Sequence, residues 1–280
     1  MATFQAFVVR GTTGPVVTLH AGVDFAGYFW TTTSRSAAKV NALRHDPVAA
    51  VLSRKHDSWM LRAGRTVVVD PARPCDAIRE LPVFTLAGTA LALIAAGYPE
   101  QLVGYAADGA STPKAWRLHK RVLNAVRHDD ELSWTDDGTI THQTARFRPH
   151  GNPRDRPDRL PRTATTVHDE RGASPLDVDG SCWLGLDSDA GPVVLPGRWN
   201  ASRSVVRVNS AVLTAMDSWL PGRACVTIDS SDAARPSDKA GIIARGEATP
   251  GRTRSGTSSI VVDVDAISTW SGFRTGVTAA

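Results

Sequence analysis

Thr31-Thr32-Thr33-Ser34-Arg35-Ser36-Ala37-Ala38-Lys39-Val40-Asn41-Ala42-Leu43-Arg44-His45-Asp46-Pro47-Val48 holds the reading on which the rest turns. The aromatic run Tyr28-Phe29-Trp30 leads in as a strand, and Ser36 to His45 reads as a short helix closed by Asp46-Pro47, because the residue before a proline avoids the helical region. Ser36 is placed to cap that helix. A strand that runs straight into a helix start gathers free backbone N–H groups and hydroxyls at one point, which makes an anion pocket. Thr32, Thr33, Ser34 and Ser36 bring hydroxyls, Arg35 a two-pronged guanidinium, and Lys39 an ammonium one turn inside the helix. The competing reading makes Ser36 a plain cap and Arg35 and Lys39 solvated surface charges. Spacing alone does not separate the two.

Outward from this stretch, strands are expected over Phe4 to Val9, Val16 to His20, Gly27 to Thr32, Val48 to Ser53 and Trp59 to Asp70, with a break at Gly64. Several short strands around one helix suggest a barrel. Residues 81 to 128 change to Ala/Leu-rich segments, and Pro113 to Leu123 looks amphipathic, so a helical insertion is expected there. Leu81 to Pro99 carries no charge, yet Pro82, Gly88, Gly97 and Pro99 interrupt it, which favours a buried helix over Phe84 to Ala96 and no membrane contact. A strand pair over Leu132 to Phe147 returns the chain to the sheet. The Pro- and Arg-rich run from 149 to 175 reads as a linker.

Beyond the linker the pattern repeats. Ser34-Arg35-Ser36-Ala37-Ala38-Lys39-Val40-Asn41-Ala42 aligns without gaps on Ser202-Arg203-Ser204-Val205-Val206-Arg207-Val208-Asn209-Ser210. Gly14-Pro15-Val16-Val17 precedes the first copy as Gly191-Pro192-Val193-Val194 precedes the second, and Leu61-Arg62-Ala63-Gly64 follows as Ile243-Ala244-Arg245-Gly246 does. A length of 280 residues, about twice that of a ~150-residue domain, agrees with two units. The expected division is a first barrel over 1–148, the linker, and a second barrel over 176–280. Arg203, Ser204 and Arg207 would form a second pocket, weakened by arginine in place of Lys39 and by a hairpin before Arg203 that is shorter by nine residues.

With 42% apolar and 21% charged residues the chain can bury a core, and a pI near 9.2 leaves a mild preference for anionic ligands. Cys75, Cys182 and Cys225 are spaced for neither a disulfide framework nor a zinc site, and Met1-Ala2-Thr3-Phe4 opens no secretory signal, so a cytoplasmic protein is expected. The cations between Arg146 and Arg171 are interrupted by acids and lack interleaved aromatics, which argues against nucleic acid. Gly-x-Ser-x-Gly, Gly-rich phosphate-loop and His-Glu-x-x-His patterns are absent from the sequence. The histidines are scattered with no local set of haem ligands.

The pattern Thr-x-x-Ser-Arg-Ser-x-x-Lys-Val-x-x-Leu-x-x-Asp-Pro-Val, from Thr31 to Val48, resembles the phosphate-binding strand-to-helix segment of the pyridoxamine-5'-phosphate-oxidase-like superfamily of flavin-binding split barrels. The likeness extends from Gly14 to Asp70. In the second half Ala224 to Asp229, Ile243 to Ala248 and Ser268 to Phe273 are similar to the late strands and tail of its actinobacterial flavin- or deazaflavin-dependent oxidoreductases. That resemblance implies a mainly β (α+β) chain of two split β-barrels forming a pseudo-dimer; the helical insertion expected between them has no counterpart in the family. It implies FMN or coenzyme F-420 held at its phosphate by Arg35, Ser36 and Lys39, with haem behind both.

Trp59, with Trp30 and Trp270, is a candidate to line a ring-binding groove, against the alternative that all three are barrel core. The expected activity is hydride transfer between the cofactor and a small organic molecule, for which no catalytic side chain is required. A non-catalytic cofactor-binding or assembly protein is the alternative. A chain that pairs its own two barrels stands as a monomer or adds a further homodimer interface.

Overall fold

The structure is a computed structural model describing residues 5–109, 111–114, 117, 120–144, 179–188, 191–216, 222–229, 235–254 and 256–279. The expected linker over 149–175 and the Arg-rich segment lie outside the described residues.

The chain is mainly β, in two antiparallel sheets. Strands β1 (Gln5–Gly11), β2 (Gly14–His20), β3 (Gly22–Phe25) and β4 (Tyr28–Ser34) lead into helix α1 (Ala38–His45), then β5 (Val48–Lys55) and β6 (Ser58–Val69). Helices α2 (Pro74–Arg79), α3 (Leu81–Gly97) and α4 (Pro99–Ala107) follow, and β7 (Arg121–Arg127), β8 (Asp130–Thr135) and β9 (Ile140–Gln143) rejoin the sheet. The second half contains β10 (Gly180–Ser188), β11 (Gly191–Asn200), β12 (Val205–Asn209), helix α5 (Ser210–Ala215), β13 (Gly222–Asp229), β14 (Ala240–Arg254), β15 (Thr257–Ser271) and β16 (Arg274–Ala279).

The two halves share one strand plan. The first runs β2-β1-β5-β6-β8-β9 and the second β11-β10-β13-β14-β15-β16. In the first half β7 lies between β4 and β6, and β8 between β6 and β9. The single strand β15 does both tasks in the second, pairing β12 with one end and β16 with the other. Gly64 and Gly246 mark the same bend: an added Cβ would lie 2.0 Å from the Arg127 carbonyl oxygen in one and 1.8 Å from that of Asp263 in the other. Gly14 and Gly191 open β2 and β11 with φ of 125° and 129°, which a side chain rarely permits.

Other expectations change. The gapless repeat pairs Ala38-Lys39-Val40, which are helical, with Val206-Arg207-Val208, which are strand β12. Val205, Val206 and Val208 are β-branched, and β12 is held between β11 and β15, so pairing overrides the helical register of the first copy. The insertion sits inside the first sheet between β6 and β7, not between the barrels. The helical expectation also fails over Arg121 to Arg127, where Val122, Leu123, Ala125 and Val126 are buried between β4 and β6. Helix α3 is only partly buried: Val83, Ala90 and Ile94 face the sheet while Leu91 and Leu93 are exposed. Among the described residues no single helix is long and apolar enough to cross a membrane.

Strands β1 and β5 are apolar on both faces, and each face has its own core. Phe7, Val9, Ala49 and Val51 close around Leu43 of α1 inside the first barrel. Ala6, Val8, Ala50 and Leu52 turn outward and join Leu184, Leu186, Val194, Leu195, Val226 and Ala244 of the second sheet in one continuous core. Trp30 packs in a third cluster under α3.

Candidate functional site

The first barrel is split along one seam. Strands β2 and β3 form a nearly continuous ribbon bent at Ala21; β3 pairs with β4 up to Gly22 opposite Thr31, and the Thr31 hydroxyl donates to the Ala21 carbonyl at 2.9 Å. Past that point β2 pairs with β1 and diverges from Thr32-Thr33-Ser34. In the second half this seam is closed, because β12 pairs with β11 as well as with β15. Among the described residues an unpaired seam of this kind is present in the first half and not at the matching place in the second.

Lys39, on the first turn of α1, projects into the seam. Its Nζ lies 3.0 Å from Thr18 Oγ1 and 2.5 Å from His20 Nε2, both on β2. The far wall is Arg121 at the start of β7. Its Nη2 donates to the Thr32 carbonyl at 2.9 Å and to Thr32 Oγ1 at 3.1 Å, and its Nη1 donates to the Tyr105 hydroxyl of α4 at 2.7 Å. Lys239 enters from the second half. The turn before it is fixed to α4, with the Ser237 N–H and hydroxyl donating to Asp108 at 2.9 and 3.0 Å.

Electrostatics follow from burial. Desolvation, reinforced by the nearby Arg121 cation and partly offset by Asp229, pulls the Lys39 pKa down to about 7. Burial also lowers Lys239. His20 is held well below the usual imidazole range by burial and by Lys39, Arg121 and Lys239, so it is neutral at pH 7. Among the described residues the hydrogen-bond partners of Lys39 and Arg121 are neutral groups, and Asp229 is a carboxylate whose charge acts on Lys39 and Lys239.

The residues proposed from sequence divide. Lys39 and Thr32 are in the cleft. Thr33 is buried opposite Val122 in the β4–β7 ladder. The hydroxyls of Ser34 and Ser36 bond to each other at 3.0 Å, and Ser36 does not cap α1: the N-cap is Ala37, with no side-chain bond. Arg35 is turned away into an ion pair with buried Asp70. Trp59 donates to Asp136 and stacks edge-on against Trp183, far along β6 from the seam, while Trp30 is core and Trp270 packs on the second sheet. Arg203 and Arg207 are exposed, and Ser204 adopts the left-handed backbone conformation. His20, Arg121, Tyr105 and Lys239 carry no local sequence signal, since four separate parts of the chain, β2, β7, α4 and the turn before β14, bring them together. Among the described residues no His/Cys/Asp/Glu group is arranged to hold a metal.

No protein-family model and no curated protein matches the chain. Solved structures do. A pyridoxamine 5'-phosphate oxidase-related, FMN-binding protein from Nostoc punctiforme PCC 73102 is similar over 49% of this chain and 76% of its own, at 12% identity and a TM-score of 0.35. An F420 reductase is similar over 46% of this chain and 89% of its own, at 12% identity and 0.30. The haem storage protein of Vibrio cholerae is similar over 49% and 89%, at 11% identity and 0.32.

Proposed function

We propose that the chain binds a flavin-type cofactor, FMN or the deazaflavin F-420, through its phosphate in the seam between β2 and β4, and works as an oxidoreductase on a small organic molecule. The observation that carries this reading is the placement of Lys39 and Arg121, half-buried and mutually repelling, with neutral hydrogen-bond partners among the described residues, Lys239 nearby and Asp229 offsetting the charge only in part. Desolvated like charges destabilise a fold unless something compensates them, and a bound anion does so. The donors suit phosphate: a guanidinium fork, two ammonium groups and the hydroxyls of Thr18 and Thr32.

A bound flavin or deazaflavin would supply the hydride chemistry. The residues have other tasks. Arg121 is held rigid by Thr32 and Tyr105, so it meets an oxyanion with little further ordering. The Asp108–Ser237 contact ties α4 to the turn that carries Lys239, so the insertion and the second half close the cleft together. In this reading one chain, with its two halves sharing a core, takes the place of two subunits.

The test is a titration of the purified chain with FMN, F-420 and riboflavin, followed by flavin fluorescence. The proposal expects FMN or F-420 to bind at least about a hundredfold more tightly than riboflavin, which lacks the phosphate, because charge-assisted contacts are worth ~3 kcal/mol together. Equal affinity for FMN and riboflavin, or no binding of any of the three, overturns it. Reoxidation of the reduced, loaded protein by a panel of acceptors then separates an enzyme from a storage protein.

A further inference from the structure

Lys39 and His20 are arranged as more than two ligands for an anion. The Lys39 Nζ to His20 Nε2 separation is 2.5 Å, and Thr18 Oγ1 stands 3.0 Å from the first and 2.9 Å from the second, so amine, imidazole and hydroxyl form a closed triangle. The Phe7 ring meets His20 edge-on at a centroid distance of 5.7 Å and fixes its plane from the barrel side. A nucleophile within hydrogen-bond reach of a base that a third group orients is the pattern by which proteins activate an amine. The charged and titratable groups acting on the pair are Arg121 of β7, Lys239 from the second half and Asp229 of β13.

We propose that Lys39 is a nucleophilic amine that condenses with the carbonyl group of a small anionic aldehyde or 2-oxo acid, with Arg121 and Lys239 taking the carboxylate and His20 carrying the protons. This rests on the anion-binding reading of the cleft and gives Lys39 a second role there. The lone pair on Nζ forms a bond to the carbonyl carbon as the carbon–oxygen π bond opens. One nitrogen proton passes through His20 Nε2 to that oxygen, giving a carbinolamine. The remaining nitrogen proton follows the same route, the carbon–oxygen bond breaks, and water leaves with the imine in place. Nothing is oxidised or reduced. Support comes from the acidity of Lys39, about 7, which leaves a large share of free amine at neutral pH where a solvated lysine has almost none.

The test treats the whole chain with glyoxylate and cyanoborohydride at pH 7.5 and maps the reduced adducts by peptide mass spectrometry. The proposal expects Lys39 to be modified at least about tenfold faster than Lys55, Lys114 and Lys120. The neutral aldehyde acetaldehyde should modify it more slowly than glyoxylate, and Arg121→Gln should shrink that preference while slowing both reactions, because losing the neighbouring cation lets the Lys39 pKa rise. Modification of Lys39 no faster than the other lysines overturns the proposal; if FMN still binds better than riboflavin in that case, the anion cleft stands without a nucleophile. Fast modification with no preference for glyoxylate overturns the anionic-substrate assignment, and the comparison of FMN with riboflavin then decides the anion-binding reading by itself.

Discussion

Arg35 Nε lies 2.9 Å from Oδ1 of Asp70, and Arg44 Nη2 lies 2.7 Å from Oδ2 of the same carboxylate. Asp70, with its side chain 1% exposed at the end of β6, therefore depends on two arginines from the chain around α1. This pairing decides what Arg35 does: it pins the strand-to-helix passage to the sheet and is spent there.

Arg35→Gln should accordingly lower stability and spare the cleft. Removing one of two partners from a buried carboxylate costs about 2 kcal/mol, below the figure for a lone buried pair because Arg44 remains. Guanidinium denaturation reads that loss, and the affinity for FMN should stay within about twofold. Lys39→Gln and Arg121→Gln should do the reverse, each weakening FMN binding about tenfold or more. A large loss of affinity in Arg35→Gln would return Arg35 to the site.

The pH dependence of stability should carry the mark of Lys39. Its folded pKa of about 7 lies below the unfolded value near 10.5. Below pH 7 both states hold the proton and the full penalty of burying the ammonium is present. Between pH 7 and 10.5 the unfolded chain binds the proton and the folded chain does not, so stability rises with pH through that window. Lys39→Met should therefore raise the melting temperature most at pH 6, with the gain shrinking toward pH 10. Anions favour the ammonium form, so phosphate or FMN affinity should fall as pH rises above 7, and Lys39→Met should flatten that slope.

The barrel strands were legible because local periodicity and turn residues agree with the fold: β1, β2, β4, β5 and β6 fall where alternation and glycine put them, and Asp46-Pro47 ends α1. β3 was missed, since Gly22 to Phe25 is short and Ala26-Gly27 hides the turn that makes it a hairpin with β4. Arg121 was misread because Lys120 and Arg121 continue an amphipathic rhythm, and only pairing with β4 and β6 makes Arg121–Arg127 a strand. The site was legible in Lys39 and in the anion chemistry of its surroundings. Its other cations were not, because Arg121 and Lys239 reach Lys39 across loops whose closure no local pattern records.

The halves are joined by charge as well as by core. Arg10 of β1 donates to Asp46 at 3.0 Å and to Asp187 of β10 at 2.6 Å, and the Asp187 side chain is only 8% exposed. Arg10→Met leaves Asp187 buried beside an apolar stem, which should cost about 3 kcal/mol. Guanidinium denaturation of both proteins reads that loss. A loss below about 1 kcal/mol would mean that Arg10 acts only through packing.

Two glycines test the bend that splits β6 between its partners. At Gly64 a methyl group would sit 2.0 Å from the Arg127 carbonyl oxygen, a backbone atom that cannot turn aside, whereas at Gly88 on α3 nothing lies within 4 Å. Gly64→Ala must push β6 away from the start of the β7–β8 passage, which sets the position of Arg121 six residues earlier, so a loss of about 3 kcal/mol is expected along with weaker FMN binding. Gly88→Ala should add roughly 0.5–1 kcal/mol by reducing the freedom of the unfolded chain and favouring the helix. Urea unfolding of both variants checks the pair. A neutral Gly64→Ala would show that β6 can move away from the β7–β8 passage at this point without cost, and the cleft geometry built on that bend would have to be redrawn.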